Sequence, residues 1–310
     1  MITAVRCVAM TFAMTCLALF APLASAQEAF PTKEAAAEAL VAALGTTKAD
    51  EARLGAILGP DWQTFVPTGS VDRSDVDAFL ARYREKHSFQ TPAVNRAILA
   101  VGNDTWTLPV PIEKKPTGWA FNVKAGEPEI RARRIGRNEL DAVQAVLAYH
   151  DAQMDYASVD RDGDGVLAYA QKFLSTDGEH DGLYWPEENG VDDSPLGPLF
   201  GDDTPDGVWH GYKYRILTAQ GPSAPGGEYD YMLGKAMSRG FAVIAWPAKY
   251  ADTGVMSFMI SHEGDVFEKD MGPESEKLAE AMTRFDPDSS WKEVPTDAAA
   301  DAPKPKPKAK

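Results

Sequence analysis

The chain has 310 residues, with 46 acidic side chains against 31 Lys and Arg and a formal net charge of −15. That balance argues against a nucleic-acid binder, which needs Lys and Arg against phosphate, and against docking on anionic lipid. Only two cysteines occur, Cys7 and Cys16, both in the first segment, so neither a disulfide framework nor a catalytic thiol is expected after it.

Met1 to Ala26 reads as a cleaved export signal. Arg6 supplies a positive start, Val8 to Ala21 an apolar run, and Ala24-Ser25-Ala26 a small-x-small cleavage site. The run is shorter than the roughly 20 apolar residues of a membrane span, and no later stretch is long enough. The expected protein starts near Gln27, is periplasmic or secreted, and has no transmembrane segment. At roughly 100–200 residues per domain, two domains are expected, at 27–126 and 127–292, followed by a Lys/Pro tail over 293–310.

Pro31 and Thr32 open a first helix carrying Leu40, Val41 and Leu44, and Gly45 stops it. A second covers Ala49 to Leu58. Val76, Phe79, Leu80 and Tyr83 share one helical face in a third, with Ser74 as its cap. The period then changes to two. Ala97 to Val101 is one strand, Trp106-Leu108-Val110-Ile112 a second, kept at a sheet edge by Pro109 and Pro111, and Trp119-Phe121-Val123 a third. Helices followed by an antiparallel meander predict a small α+β domain. Its topology resembles the cone of nuclear transport factor and the polyketide cyclases.

Arg131, Arg133, Arg134 and Arg137 form a basic junction that Glu127, Glu129 and Glu139 can balance. Asn138 then caps a long helix whose buried stripe is read as Leu140, Val143, Leu147 and Met154, widened by Val146 and Ala157. His150 on this helix is read as a hydrogen-bonded interface residue. The helix runs into the acidic loop Asp160 to Gly165, and a short helix is expected from Leu167 to Leu174. Ser175 to His210 is irregular, packed by Leu183-Tyr184-Trp185-Pro186 and Pro195 to Leu199. Strands follow at Tyr212–Ala219 and Phe241–Trp246. A hairpin of Gly254–Ile260 and Val266–Lys269 comes next, then a closing helix from Glu274 to Phe285. One long helix on an antiparallel sheet makes a second α+β domain. Ala298 to Lys310 alternates Pro with Lys and is expected to be an extended tail.

The loop carries the clearest chemistry. Asp160, Asp162, Asp164 and Gly165 match positions one, three, five and six of a calcium loop, and Val166 can add its backbone carbonyl at seven. Position twelve holds Gln171, whose single neutral oxygen replaces a bidentate glutamate; Asp177, Glu179 or Asp181 could supply the missing acid. Bound calcium would act structurally, pinning the helix end to the next segment. No Gly-x-Ser-x-Gly elbow, His-Glu-x-x-His pair, Walker loop or dinucleotide fingerprint occurs. The catalytic candidates are Glu179, His180 and Asp181, which with Tyr184 and Trp185 could line a sugar-like cleft. Two readings follow: a non-catalytic envelope protein that holds calcium and presents a surface or pocket to an unknown envelope protein or polymer, or a hydrolase of cell-wall or exported polysaccharide.

Several runs together resemble a family of secreted bacterial proteins catalogued as domain of unknown function 2950. They are Arg134 to Leu140, Asp160 to Gly165, Tyr169-Ala170-Gln171, Asp181 to Pro186, Ser194 to Leu199, Ala224 to Gly227, Ala245 to Ala248, and Glu268-Lys269-Asp270. The resemblance covers nearly all of the chain after the leader and implies its layout without an activity. Where the family pattern has an acid before Tyr169, this chain has Ala168. The second half also resembles the head domains of type IV pilins and pseudopilins, through Tyr149 to Gln153, Tyr156-Ala157 and the strand Gly211 to Tyr214.

Overall fold

The computed structural model describes residues 27–66, 71–161, 163–186, 194–197 and 207–295. The expected leader, most of the Lys/Pro tail, and Asp162 lie outside the described residues. The chain forms two compact units, up to Gly126 and from Glu127 onward, and both combine helices with antiparallel sheet.

In the first unit, α1 (Lys33–Leu44) starts where Thr32 Oγ accepts the Ala35 N–H, and α2 (Glu51–Leu58) starts where Asp50 accepts that of Arg53. A one-turn α3 (Trp62–Phe65) and α4 (Arg73–Glu85) follow. Asp72, not Ser74, occupies the N-cap position of α4. The sheet comprises β1 (His87–Ala93), β2 (Arg96–Val101), β3 (Trp106–Thr107), β4 (Ile112–Lys115) and β5 (Gly118–Phe121), ordered β1-β2-β4-β5 with β3 also on β2. The single strand expected over Trp106–Ile112 is two strands, because Pro109 and Pro111 have no N–H to give a ladder. β1 was not legible in the sequence: along it only Phe89 is half-buried, so no apolar alternation marks it. Gly118 has φ 133, and a Cβ there would stand 2.5 Å from the Phe30 carbonyl oxygen, where Phe30 and Trp119 exchange both backbone hydrogen bonds.

Helix α5 (Val123–Tyr156) begins fifteen residues earlier than expected. Asn122 caps it by accepting the Ala125 N–H, and it continues through Gly126, Pro128 and Gly136, residues of low helix propensity. Asn138 is therefore an interior residue of the helix. The buried face also differs from the expected stripe. Leu140 and Met154 are 48% and 50% exposed, whereas Ala142, Val143, Ala145, Val146, Tyr149, Ala152 and Tyr156 are buried.

The second unit's main sheet contains β6 (Tyr212–Leu217), β11 (Ala242–Pro247), β12 (Met256–Ser261), β13 (Val266–Asp270) and β15 (Lys292–Glu293), all antiparallel in the order β15-β13-β12-β11-β6. Between β6 and β11 lie β7 (Ala219–Gln220), β8 (Tyr229–Asp230) and the small hairpin of β9 (Met232–Leu233) and β10 (Ala236–Met237). α6 (Ser275–Ala281) and β14 (Arg284–Phe285) precede β15, and β14 pairs with β7 in parallel. Alternation along the strands gives the main sheet two faces. α5 covers one, where the Tyr149 ring meets Phe241 at 5.7 Å and its hydroxyl donates to the Ala242 carbonyl. α6 covers the other, where Lys213 pairs with Glu276 and Phe285 packs on Phe267.

Candidate functional site

Near its start in the second unit, α5 is tied by polar groups. Arg131 and Arg133 pair with Glu127 and Glu129 one turn back, and Arg134 with Asp252. Glu139 is not part of that balance. Its carboxylate accepts the N–H groups of Val255 and Met256 at 2.9 and 3.0 Å, while Asn138 Nδ2 donates to the Thr253 carbonyl. The run Arg134 to Leu140 thus holds the turn between β11 and β12.

At its other end α5 carries the acidic loop. Gln153, fully buried, binds both backbone groups of Ala170: its Nε2 donates to the Ala170 carbonyl and its Oε1 accepts the Ala170 N–H, each at 2.8 Å. Nε2 also donates to the Tyr149 hydroxyl. This corrects the helix expected over Leu167–Leu174. Ala170 has given both backbone groups to a side chain, Tyr169 bridges Met237, and the N–H groups of Leu183 and Tyr184 donate to the Lys172 and Phe173 carbonyls. The segment is extended and cannot close a helical ladder.

Within the loop, Asp160 accepts the N–H of Gly163 on one oxygen and that of Gly165 on the other, at 2.8 and 2.9 Å. Asp164 accepts the Val166 N–H at 2.8 Å. Gly163 and Gly165 have φ 71 and 85, the left-handed conformation the sharp turn needs. Gln171 turns its amide to the small hairpin, donating to the Lys235 carbonyl. Among the described residues, no group of three or more His, Cys, Asp and Glu side chains is placed to hold a metal ion. Asp162, the central carboxylate of the spacing, is not among them.

The spacing did not reveal how the loop is anchored. Arg161 lies over the rings of Tyr156 and Trp185, 4.9 and 5.1 Å from their centroids. His180 stacks on Trp185 at 4.4 Å, and the Tyr156 hydroxyl donates to the His180 carbonyl. Two stretches singled out separately, the acidic loop and Asp177 to Trp185, therefore meet around one tryptophan. Asp181 pairs with Lys172 and accepts from Thr176, and the Lys172 ammonium holds its carboxyl down at about 2. The Glu179 backbone N–H closes a turn onto the Thr176 carbonyl.

Two other titratable clusters escaped the sequence reading because their members are far apart in the chain. His262 lies among Tyr229, Tyr231 and Phe241. Its Nε2 is 3.1 Å from the Tyr229 hydroxyl and 3.4 Å from Glu263, its Nδ1 is buried without a hydrogen-bond partner among the described residues, and burial pushes its pKa down. His150 approaches the His262 carbonyl at 3.4 Å, the polar contact expected of it. His210 and Gly211, both at positive φ, form a two-residue turn joining Trp209 to Tyr212. That turn sets His210 Nδ1 3.3 Å from Asp141, whose carboxyl is raised by burial.

No described helix is long and apolar enough to cross a membrane. No curated protein and no solved structure matches the chain, so the pilin likeness is carried no further. A family model described as "Protein of unknown function (DUF2950)" matches residues 27–294. With the match running from Gln27 to the end of β15, the chain belongs to that family.

Proposed function

We propose that this protein is an exported, non-catalytic component of the cell envelope, in which a calcium ion in the Asp160–Gly165 loop stiffens the surface that the second unit presents to an envelope partner. Export rests on the leader pattern of Met1 to Ala26. The observation that carries the calcium reading is the curl of the loop around Asp160, whose two oxygens gather the N–H groups of Gly163 and Gly165. The loop's ends are already closed by Gln153 on Ala170 and by Arg161 on Trp185, so binding needs little further ordering. Asp160, Asp162, Asp164, the Val166 carbonyl and Gln171 remain the proposed ligands. The hydrolase reading draws no comparable support. Asp181 stays ionised at neutral pH against Lys172 and cannot give up a proton as a general acid.

The test is the melting temperature of the full chain in chelator and in excess calcium. At calcium concentrations ten- to a hundredfold above Kd, the stabilisation is about 1–3 kcal/mol, a rise of a few degrees. Asp162→Asn with Asp164→Asn should abolish the calcium-dependent rise and leave the melting point in chelator unchanged or slightly higher. A wild-type melting temperature that ignores calcium would remove the metal from the proposal.

A further inference from the structure

Helix α5 turns a second apolar row away from its own sheet. Leu140 and Met154 are 48% and 50% exposed, and Leu147, midway between them, is half-buried against the core. A spacing of seven residues nearly completes two helical turns, so the three side chains fall within about 40° of one another. A single exposed apolar side chain is ordinary on a protein surface. A row at this spacing instead supplies one line of a helix–helix seam.

The charges beside the row are sorted by sign. At 3.6 residues per turn, Arg137, Gln144, Asp151 and Asp155 all lie about 40–80° to the same side of Leu147. Arg137, Asp151 and Asp155 are exposed, and Gln144 is half-buried. The base stands at the N-terminal end of the row and the acids at its C-terminal end. Asp155 is in the last turn of α5, which holds no basic residue and where the helix dipole disfavours an acid. The helix's own stability therefore does not account for this order. A second copy of the row, turned end for end, does.

We propose that the protein self-associates through this face of α5 as an antiparallel, two-fold dimer. The axis passes beside Leu147, which meets its own copy. Leu140 lies against Met154 of the second copy, Arg137 against its Asp155, and Gln144 against its Asp151. A two-fold contact makes each of these pairs twice, and both Arg137–Asp155 pairs fall on the same flank. A parallel alignment would instead set Arg137 against Arg137 and Asp155 against Asp155. From Arg137 to Asp155 the strip is about 27 Å long and one helix wide, less than the roughly 800 Å² per partner of a standard interface. The dimer is accordingly weak and dissociates on dilution. It does not depend on calcium in the Asp160–Gly165 loop.

Sedimentation equilibrium of the full chain, from micromolar to millimolar protein, should show a mass that rises towards that of a dimer, and rises less as salt is added. Asp155→Arg sets like charges together twice and should weaken association by about tenfold. The same change should not lower the melting temperature, because a base suits the last turn of a helix. Cysteines read the orientation, once the chain's only two, Cys7 and Cys16, are replaced by Ser. In a glutathione buffer, Leu140→Cys mixed with Met154→Cys should give the mixed disulfide dimer in preference to either self-pair. A mass that stays monomeric to millimolar concentration would overturn the proposal and leave the face to a different protein. Self-pairs that outnumber the mixed disulfide, or an Asp155→Arg chain that associates like wild type, would overturn it as well.

Discussion

Glu139 and Gln153, both on α5, each make two hydrogen bonds to neighbouring backbone, but in different surroundings. Glu139 accepts the N–H groups of Val255 and Met256 from a half-buried position, beside the exposed Leu140. Gln153 binds the N–H and carbonyl of Ala170 from a position with no exposed surface. At the first site water can replace a lost partner; at the second it cannot. The contrast predicts that the uncharged side chain matters more to the fold than the charged one, because an unmade bond in the interior costs more than a made bond contributes.

The largest expected effect follows from that contrast. Gln153→Leu strands the Ala170 N–H and carbonyl in the core and removes the donor to Tyr149. At about 1–3 kcal/mol for each unsatisfied group, the loss should exceed about 3 kcal/mol by urea denaturation. It should also release amide protection at Ala170 in hydrogen exchange. If Gln153→Leu proves no more damaging than a surface substitution, the clamp does not hold the loop's base.

Glu139→Ala should cost less, about 1–2 kcal/mol, since Val255 and Met256 keep access to solvent. Glu139→Gln retains an acceptor oxygen and should recover part of that loss. A Glu139→Ala penalty equal to or above that of Gln153→Leu would reverse the comparison and make charge, rather than burial, the deciding factor.

The same contrast separates what the sequence revealed from what it hid. Helices with an apolar stripe or a capping residue, α1, α2 and α4, were legible from local pattern. So were the hydrophobic strands β11 and β12, whose apolar runs stand out wherever they lie. The loop's acids could be read from spacing alone. What was hidden depended on partners distant in sequence. Nothing around Gln153 says that it will bind Ala170, and without that fact Leu167–Leu174 reads as a helix. The early start of α5 was hidden because Gly126, Pro128 and Gly136 have low helix propensity, which is local, whereas the helix is held by its buried face from Ala142 to Tyr156 and by Asp252 to Met256. Arg161 reads as one more loop charge until Tyr156 and Trp185 are seen beneath it.

The smallest predicted effect concerns His262, a third polar group at the margin of the core. Burial lowers its pKa first; Glu263 and the bond to the Phe241 carbonyl raise it, and His150 lowers it further. The groups facing it are Tyr229 and Tyr231, with Arg239 over the Tyr229 ring, Glu263 on its own turn, and His150 with Asp151 on α5. The folded pKa lies below the unfolded value of about 6.5, so the unfolded chain binds the proton more readily. Stability is then full above about pH 6.5 and falls as pH drops from there towards the folded pKa, because in that interval only unfolding takes up the proton. His262→Gln keeps a polar neighbour for Tyr229 and has no charge to gain. Urea midpoints measured at pH 7.5 and 5.5, above the range where ordinary carboxylates titrate, should fall for wild type by more than for His262→Gln. Parallel pH profiles would mean that the His262 cage accommodates the imidazolium, with Glu263 and the aromatic rings compensating for its burial.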